Sequence, residues 1–518
     1  MPSQEELQKE IEALQARVQE LELLNKWYME QLKLSRQKQF GSSSERSQHD
    51  DVAQLNLFNE AEAERQPLVS EPAIETVVAA QPKKRKRGEK YKALPVEVIE
   101  YRLPEEQACP VCGEALHEMS KEVRKELTII PASVKIIEHV RYVYSCRHCE
   151  ANEIQTPVLT APAPKALLPK SMVSPQLLAY IMTQKFVNAM PLYRQEQDFK
   201  RFGAELSRQN LSNWMIKGAA LLNPLLDAMK TKLLAHEILH ADETQLEVLC
   251  EPGRPAQTKS YMWVYRTSGE TSTPIVLYDY QEGRSGEFAK NYLSDYSGYL
   301  QTDGWNGYQK LEEQGVTLCG CWAHARRKFK EALVVIANPK PELPEKVGVT
   351  YCDQLFALEK QAGKLSLKER AQFRQEKVKP LVEAFYAWMD NTNPKPLPQS
   401  LFGKAFTYAQ NQKTYLLAFL QDARIELSNN RAERSIKPFV IGRKNWLFCN
   451  TPGGAKSSAA IYSIVQTALE NGLKPLEYLT HIFVQLQQND NVPIDTLFPW
   501  TDEIPIHCKL PKSETTNP

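Results

Sequence analysis

Glu237-Ile-Leu-His-Ala-Asp-Glu-Thr-Gln-Leu-Glu-Val-Leu249 is an apolar run with a carboxylate, Asp242, at its middle. Its alternation predicts a central strand. A charge at the middle of such a strand is costly unless it binds something. Working outward, two more acids stand at positions of the same kind. Asp303 lies in Tyr299-Leu-Gln-Thr-Asp-Gly-Trp305, where a short strand ends at a glycine turn. Glu433 lies in Asn429-Asn-Arg-Ala-Glu-Arg-Ser-Ile436, and Ser428, Asn429 and Asn430 are cap candidates that place it in the first turns of a helix. Two strand-borne aspartates and a helix-borne glutamate can converge on one face. Hard cations such as magnesium take all-oxygen sites of this kind, and two of them about 4 Å apart clamp the attacking and leaving oxygens of a phosphodiester.

The segments around these acids predict the sheet. Tyr261–Tyr265 and Pro274–Asp279 follow as strands, then a helix from about Ser285 to Leu293, the Asp303 strand, a further helix, and a strand in Val316–Trp322. Three consecutive strands followed by alternating helices and strands fit a mixed sheet flanked by helices, as in ribonuclease H. Residues 336–425 are rich in Leu, Ala, Phe, Glu, Lys and Gln and predict a helical insertion before the Glu433 helix, which Pro438 is expected to limit. The core is thus expected in two parts, 230–335 and 426–485, followed by a tail at 486–518.

Upstream, Leu7, Ile11, Leu14, Val18, Leu21, Asn25, Tyr28 and Leu32 follow four-then-three spacing. With β-branched residues and one Asn at a and mostly Leu at d, residues 1–40 predict a parallel two-stranded coil and a homodimer. An amphipathic helix docked on its own domain is the alternative. Residues 41–92 lose periodicity and read as a linker carrying the basic block Lys83-Lys-Arg-Lys-Arg87, which is either a solvated charge run or a phosphate-backbone contact. Cys109-Pro-Val-Cys112 and Cys146-Arg-His-Cys149 are paired knuckles for one tetrahedral zinc within a zinc-ribbon-like module at 93–165. Val134–Tyr144 is expected to supply strand between them. Four sulfurs leave His117, His139 and His148 outside the ligand set and leave the ion structural.

Residues 171–225 predict three helices. Ser174-Pro opens the first, Leu192–Phe202 is the second, Gly203 breaks it, and Ser207 caps the third. Leu211, Trp214 and Met215 share one face of the third, while Arg208, Gln209, Asn210 and Asn213 form the other. This is either a helix-turn-helix that offers base-reading donors to a major groove or a plain helical hairpin.

The 518-residue chain is 42% hydrophobic and 25% charged with a net charge of +1, an ordinary globular composition for several domains. No apolar run nears the ~18 residues of a membrane span, and the charged N-terminus lacks a signal-peptide pattern. A cytoplasmic location is expected, with the ten cysteines as thiols or metal ligands.

Over nearly its whole length the chain resembles the transposases of the insertion sequence 66 family. The matching stretches are the coil followed by Phe40-Gly-Ser-Ser-Ser-Glu45, the two zinc knuckles, Pro191-Leu-Tyr-Arg-Gln-Glu196, Ala241-Asp-Glu-Thr244, Thr302-Asp-Gly304, Cys321-Trp-Ala-His-Ala-Arg-Arg-Lys-Phe329, Asn430-Arg-Ala-Glu-Arg434 and Gly442-Arg-Lys-Asn-Trp446. The resemblance implies a multidomain α/β protein with a ribonuclease H-like core, in which Asp242, Asp303 and Glu433 are a DDE triad holding two magnesium or manganese ions. It implies metal-dependent cleavage at the ends of a mobile DNA element and transfer of the freed strand to target DNA. It further implies a bacterial, nucleoid-associated setting and small accessory proteins of the same element as partners. His324 would touch the scissile phosphate or simply pack, and Arg326, Arg327, Arg443 and Lys444 are candidate phosphate contacts. A nuclease or resolvase of the same fold would cut without joining. A zinc-dependent DNA-binding regulator would share the upstream modules but has no use for three converging acids.

Overall fold

The computed structural model describes residues 4–40, 133–145 and 158–511, apart from 335, 337–339, 393–394 and 490. The linker, the basic block and Cys109, Cys112, Cys146 and Cys149 lie outside the described residues. Helix α1 spans Gln4–Phe40. Of the expected Val134–Tyr144 strand only Val143 and Tyr144 are in a ladder, within β1 (Val143–Ser145), paired antiparallel with Val158–Thr160 (β2). Residues 133–142 have no regular structure, and Ile136, Ile137 and Tyr142 are exposed. Alternation makes a strand only where a neighbouring strand satisfies the backbone.

Three helices follow: α2 (Pro175–Phe186), α3 (Leu192–Arg201) and α4 (Arg208–Leu221). The hydroxyls of Ser174 and Ser207 cap α2 and α4, and Gly203 takes φ +82° to turn the chain between α3 and α4. Leu211, Trp214 and Met215 are buried, with Leu178 and Met182 of α2 against the Gly218 turn of α4. Arg208, Gln209, Asn210 and Asn213 stay exposed on the outer face.

After α5 (Asn223–Leu234) come β3 (Ile238–Glu247), β4 (Lys259–Thr267) and β5 (Val276–Gln281), then α6 (Gly286–Tyr292), β6 (Tyr299–Gln301), a 3-10 segment at Asn306–Gln314 and β7 (Thr317–Cys319). The sheet order is β5-β4-β3-β6-β7, with β3, β4 and β5 antiparallel and β3, β6 and β7 parallel. β3 is therefore central. Its first four residues are buried without alternation, as befits a strand covered on both faces, and its accessible half begins at Asp242. The insertion begins after α7 (Trp322–Val334) and runs through α8 (Pro344–Ala362), α9 (Leu367–Phe373), α10 (Lys379–Asn391), α11 (Leu401–Asn411) and α12 (Lys413–Leu417). Phe329 of α7, Phe385 of α10 and Phe402 of α11 join a second core, which also takes in Ile238 of β3 and Cys319 of β7.

Helix α13 (Asn430–Trp446) contains Pro438, which was expected to limit it. A mid-helix proline costs ~3 kcal/mol. Burial of Ile436, Phe439 and Gly442 on either side outweighs that loss. Helix α14 (Pro452–Glu470) covers the sheet edge, where its Ser463 and Thr467 hydroxyls accept the β5 amides of Tyr278 and Val276 at 2.8 and 3.0 Å. Beyond α15 (Pro475–Gln488), the expected tail is instead folded, because Leu497, Phe498, Ile504 and Cys508 enter the main core. Among the described residues no helix is long and apolar enough to cross a membrane.

Candidate active site

The strand register brings the first two acids level. β3 and β6 pair in parallel with His240 opposite Gln301, and the same offset continued by two residues sets Asp242 beside Asp303. Asp303 sits just past β6, where its Oδ1 accepts the Trp305 amide at 2.9 Å. Gly304 has φ +88°, and a Cβ there would meet the Gln412 amide oxygen and the Tyr408 hydroxyl at about 3 Å. The insertion thus closes on this turn, with Tyr408 Oη donating to the Asp303 carbonyl at 2.9 Å and Gln412 Nε2 to that of Gly304 at 3.3 Å.

Glu433 is in the first turn of α13. Asn429, expected as a cap, instead anchors the helix to β3. Fully buried, it donates Nδ2 to the Ala241 carbonyl at 2.8 Å, accepts His240 Nδ1–H at 3.1 Å, and gives its backbone N–H to Cys321 Sγ at 3.2 Å. Burial pushes the His240 imidazole down to about 4, so it is neutral at physiological pH. Asn429→Ala would strand two buried polar groups at ~1–3 kcal/mol each. A loss of roughly 2–6 kcal/mol in a urea melt is expected. A variant as stable as wild type would deny the anchor.

Charge accumulates where the acids meet. Burial, followed by the carboxylates of Glu243, Asp303 and Glu433, pushes the Asp242 carboxyl well above its usual range. Among the described residues its Oδ1 accepts only the Glu243 amide, at 2.9 Å. Glu243, on the other face of β3, is nearly buried and pushed up to about 7 by burial and by Asp303, against Arg284 and the Tyr308 hydroxyl. Arg284 Nη2 reaches Glu243 Oε1 at 2.6 Å and Asp303 Oδ2 at 3.9 Å, with its guanidinium over the Trp305 ring.

Cys321 and His324 flank Glu433, and one ligand atom from each of the three lies within 4.8 Å of the others. His324 Nδ1 is 3.7 Å from Glu433 Oε1, and Arg327 Nη2 is 3.4 Å from Oε2. Burial lowers the His324 pKa against the pull of Glu433 and Asp303, and raises the Cys321 thiol to about 12. Among the described residues neither His324 Nδ1 nor Glu433 Oε1 has a hydrogen-bond partner, although both atoms are buried.

The other expected contacts divide. Arg327 joins the acids. Arg326 turns to Asp353 of the insertion at 2.5 Å and lies over Phe356. Arg443 ties α13 to β3 through the Gln245 carbonyl and the Thr244 hydroxyl at 3.3 Å, while Lys444 is exposed. Arg208 pairs with Glu196 at 3.0 Å and overlies Tyr193. Sequence reasoning missed Glu243, Arg284, Tyr308, Tyr408, Gln412 and the bridging role of Asn429. Glu243 had a signal, as a second acid in a buried strand next to Asp242. Arg284 and Tyr408 had none.

Comparison with known proteins places these residues in a family. Residues 106–150 match the model described as zinc-finger binding domain of transposase IS66, and residues 27–99 match one described as Transposase C of IS166 homeodomain. Three proteins of Sinorhizobium fredii (strain NBRC 101917 / NGR234) are similar. Uncharacterized protein y4qI is 30% identical over 90% of this chain and 87% of its own length. Uncharacterized protein y4hP is 31% identical over 76% and 73%, and uncharacterized protein y4jD is 31% identical over 77% and 78%. The model described as Transposase IS66 family matches residues 170–457, more than half of the chain and the stretch from α2 to the start of α14 that carries all three acids, and the chain therefore belongs to that family.

Proposed function

We propose that the chain is a DNA transposase of the DDE type, with a ribonuclease H-like core, whose catalytic acids are Asp242, Asp303 and Glu433. The observation that carries this reading is the convergence of the acids: the β3–β6 register sets Asp242 beside Asp303, and burial together with the carboxylates of Glu243, Asp303 and Glu433 pushes the Asp242 carboxyl up, with no salt bridge to it among the described residues. Such a donor set fits hard divalent ions, and the bare Oε1 of Glu433 has the same need. Asp242, Asp303 and Glu433 would hold two magnesium or manganese ions. When bound, such ions make a ligated water acidic and stabilise a departing oxygen.

The chain's own groups set the geometry. The β3–β6 register and the Gly304 turn align the two aspartates, and Asn429 sets the depth of Glu433. Arg327 orients the Glu433 carboxylate, and His324 faces its other oxygen at 3.7 Å. Water attacks the phosphorus at the element's end, and the P–O3′ bond breaks to leave a 3′-hydroxyl and a 5′-phosphate. That 3′-oxygen then attacks a target phosphodiester, loses its proton, joins the target 5′-phosphate and releases a target 3′-hydroxyl. No covalent enzyme intermediate is required.

Binding of the terminal repeats is assigned to other surfaces. These are the Cys109, Cys112, Cys146, Cys149 module, whose four thiolates suit one structural zinc, and the exposed face of α4 with Arg208, Gln209, Asn210 and Asn213. Work on nucleoid DNA in a bacterial cytoplasm, alongside small accessory proteins of the same element, belongs to the same reading. The α1 seam serves homodimerisation. Ile11, Leu14, Val18, Leu21, Tyr28 and Leu32 are 51–60% exposed in the single chain, a row that a second copy would cover. Asn25→Val, which removes the polar a-position pair, is expected to convert a single dimeric species into a mixture of oligomers by sedimentation. A uniform monomer for the wild-type chain at tens of micromolar would remove the seam. The test of the whole reading is cleavage and joining of a duplex that carries the element's end.

A further inference from the structure

Helix α1 has a second face, and the structure gives it an occupant. In the heptad that puts Ile11, Val18, Asn25 and Leu32 at a, residues Lys26, Trp27, Glu30 and Lys33 fall at b, c, f and b. These positions point away from the seam. Together with Met29 at e, they line a cavity of about 400 Å³ against the helical insertion, with Leu343, Leu397 and Phe402 among the facing side chains.

Two polar contacts fix the register. Lys26 Nζ meets Glu345 Oε1 at 2.6 Å, and the Glu345 side chain is only 2% exposed. Its other oxygen has no hydrogen-bond partner among the described residues. A buried carboxylate is costly unless paired, and the cation found beside this one comes from α1. Glu30 Oε1, 371 residues away in sequence, accepts the backbone N–H of Leu401 at 2.9 Å. That amide opens α11, where a carboxylate at the N-terminus is favoured.

We propose that the groove between the starts of α8 and α11 is a docking site for the outer face of the chain's own N-terminal helix, so that α1 binds the insertion on b, c and f while its a/d seam stays open to a second copy. Sequence periodicity left coil and docked helix as alternatives. The geometry makes them compatible, since the two faces lie on opposite sides of one cylinder. Docking also ties the coil to the catalytic unit. Glu30 holds the first turn of α11, and Tyr408, two turns along the same helix, bonds the Asp303 carbonyl.

Two neighbouring positions separate the faces. In the full-length chain, Trp27 or Tyr28 is replaced by photoreactive p-benzoylphenylalanine and the protein is irradiated. Position 27 is expected to cross-link within one chain, at peptides covering 343–346 or 396–402, with no gain in chain mass. Position 28 is expected to give covalent dimers. Lys26→Glu should reduce the position-27 product at least tenfold, and pairing it with Glu345→Lys should restore most of it. Dimers formed from position 27, no product in the insertion, or a yield indifferent to Lys26→Glu would overturn the proposal. Because position 28 reports the seam by itself, a failure of dimerisation alone shows there and not at position 27.

Discussion

Asp242→Asn is expected to abolish DNA cleavage while leaving the metal-free fold as stable as wild type or more so. The amide keeps the shape of the side chain and removes one charge. Lewis-acid stabilisation of a phosphoryl transition state is worth several kcal/mol, and each ~1.4 kcal/mol is tenfold, so a loss on the order of 10³-fold or more should follow. The stability half of the prediction comes from the direction of the pKa shift. Asp242 is pushed up because burial and the carboxylates of Glu243, Asp303 and Glu433 all oppose its ionised form. A raised carboxyl pKa means that ionisation at neutral pH costs folding free energy, and a neutral amide relieves that cost. Melting both proteins in chelator tests this directly. A structural acid would behave in the opposite way, and a clearly lower melting temperature for Asp242→Asn would assign Asp242 to the fold.

The second large effect is expected at the zinc module. Residues 106–150 match a zinc-finger family model and contain two Cys-x-x-Cys pairs. A module of that size has too little core to fold alone, and a structural zinc supplies ~10–16 kcal/mol of apparent binding energy. Cys109→Ser or Cys146→Ser should therefore release one zinc per chain and weaken binding to the element's end by an order of magnitude or more. The melt of the catalytic unit should not change, because its two hydrophobic cores draw on residues from 167 onward. Metal analysis and gel shift on the same preparation decide the point. Full zinc content with undiminished end binding would show that these cysteines do not hold the module together.

Why some of this was legible in the sequence and some was not has a physical basis. β3 was readable because a strand covered on both faces must be apolar, which makes Asp242 conspicuous within Ile238–Leu246. Asp303 was readable because the chain must leave the sheet there and Gly304 marks the positive φ that the turn requires. Serine caps at Ser174 and Ser207 act within four residues and leave a local trace. Contacts made across the fold leave none. Nothing in the sequence near Arg284 points to Glu243 or Asp303, and Tyr408 reaches the Asp303 turn from the middle of an insertion read only as helical. Asn429 carried a misleading local signal, since a helix-start asparagine usually caps, whereas this one bonds β3. Pro438 and the folded segment at 494–508 misled for a related reason, as tertiary burial overrode a local preference in both.

The central claim is that three acids, distant in sequence, form one cation-dependent site that cuts and joins DNA. Its most direct test is a strand-transfer assay on a short duplex carrying the element's end, with wild type beside Asp303→Asn, in magnesium, manganese, calcium or chelator. Wild type should cut and join in magnesium or manganese, which accept octahedral oxygen ligands, and should bind but scarcely cut in calcium, whose longer bonds loosen the geometry. Asp303→Asn should bind the end and neither cut nor join in any ion. Cleavage by Asp303→Asn at the wild-type rate, or wild-type cleavage untouched by chelator, would contradict the account.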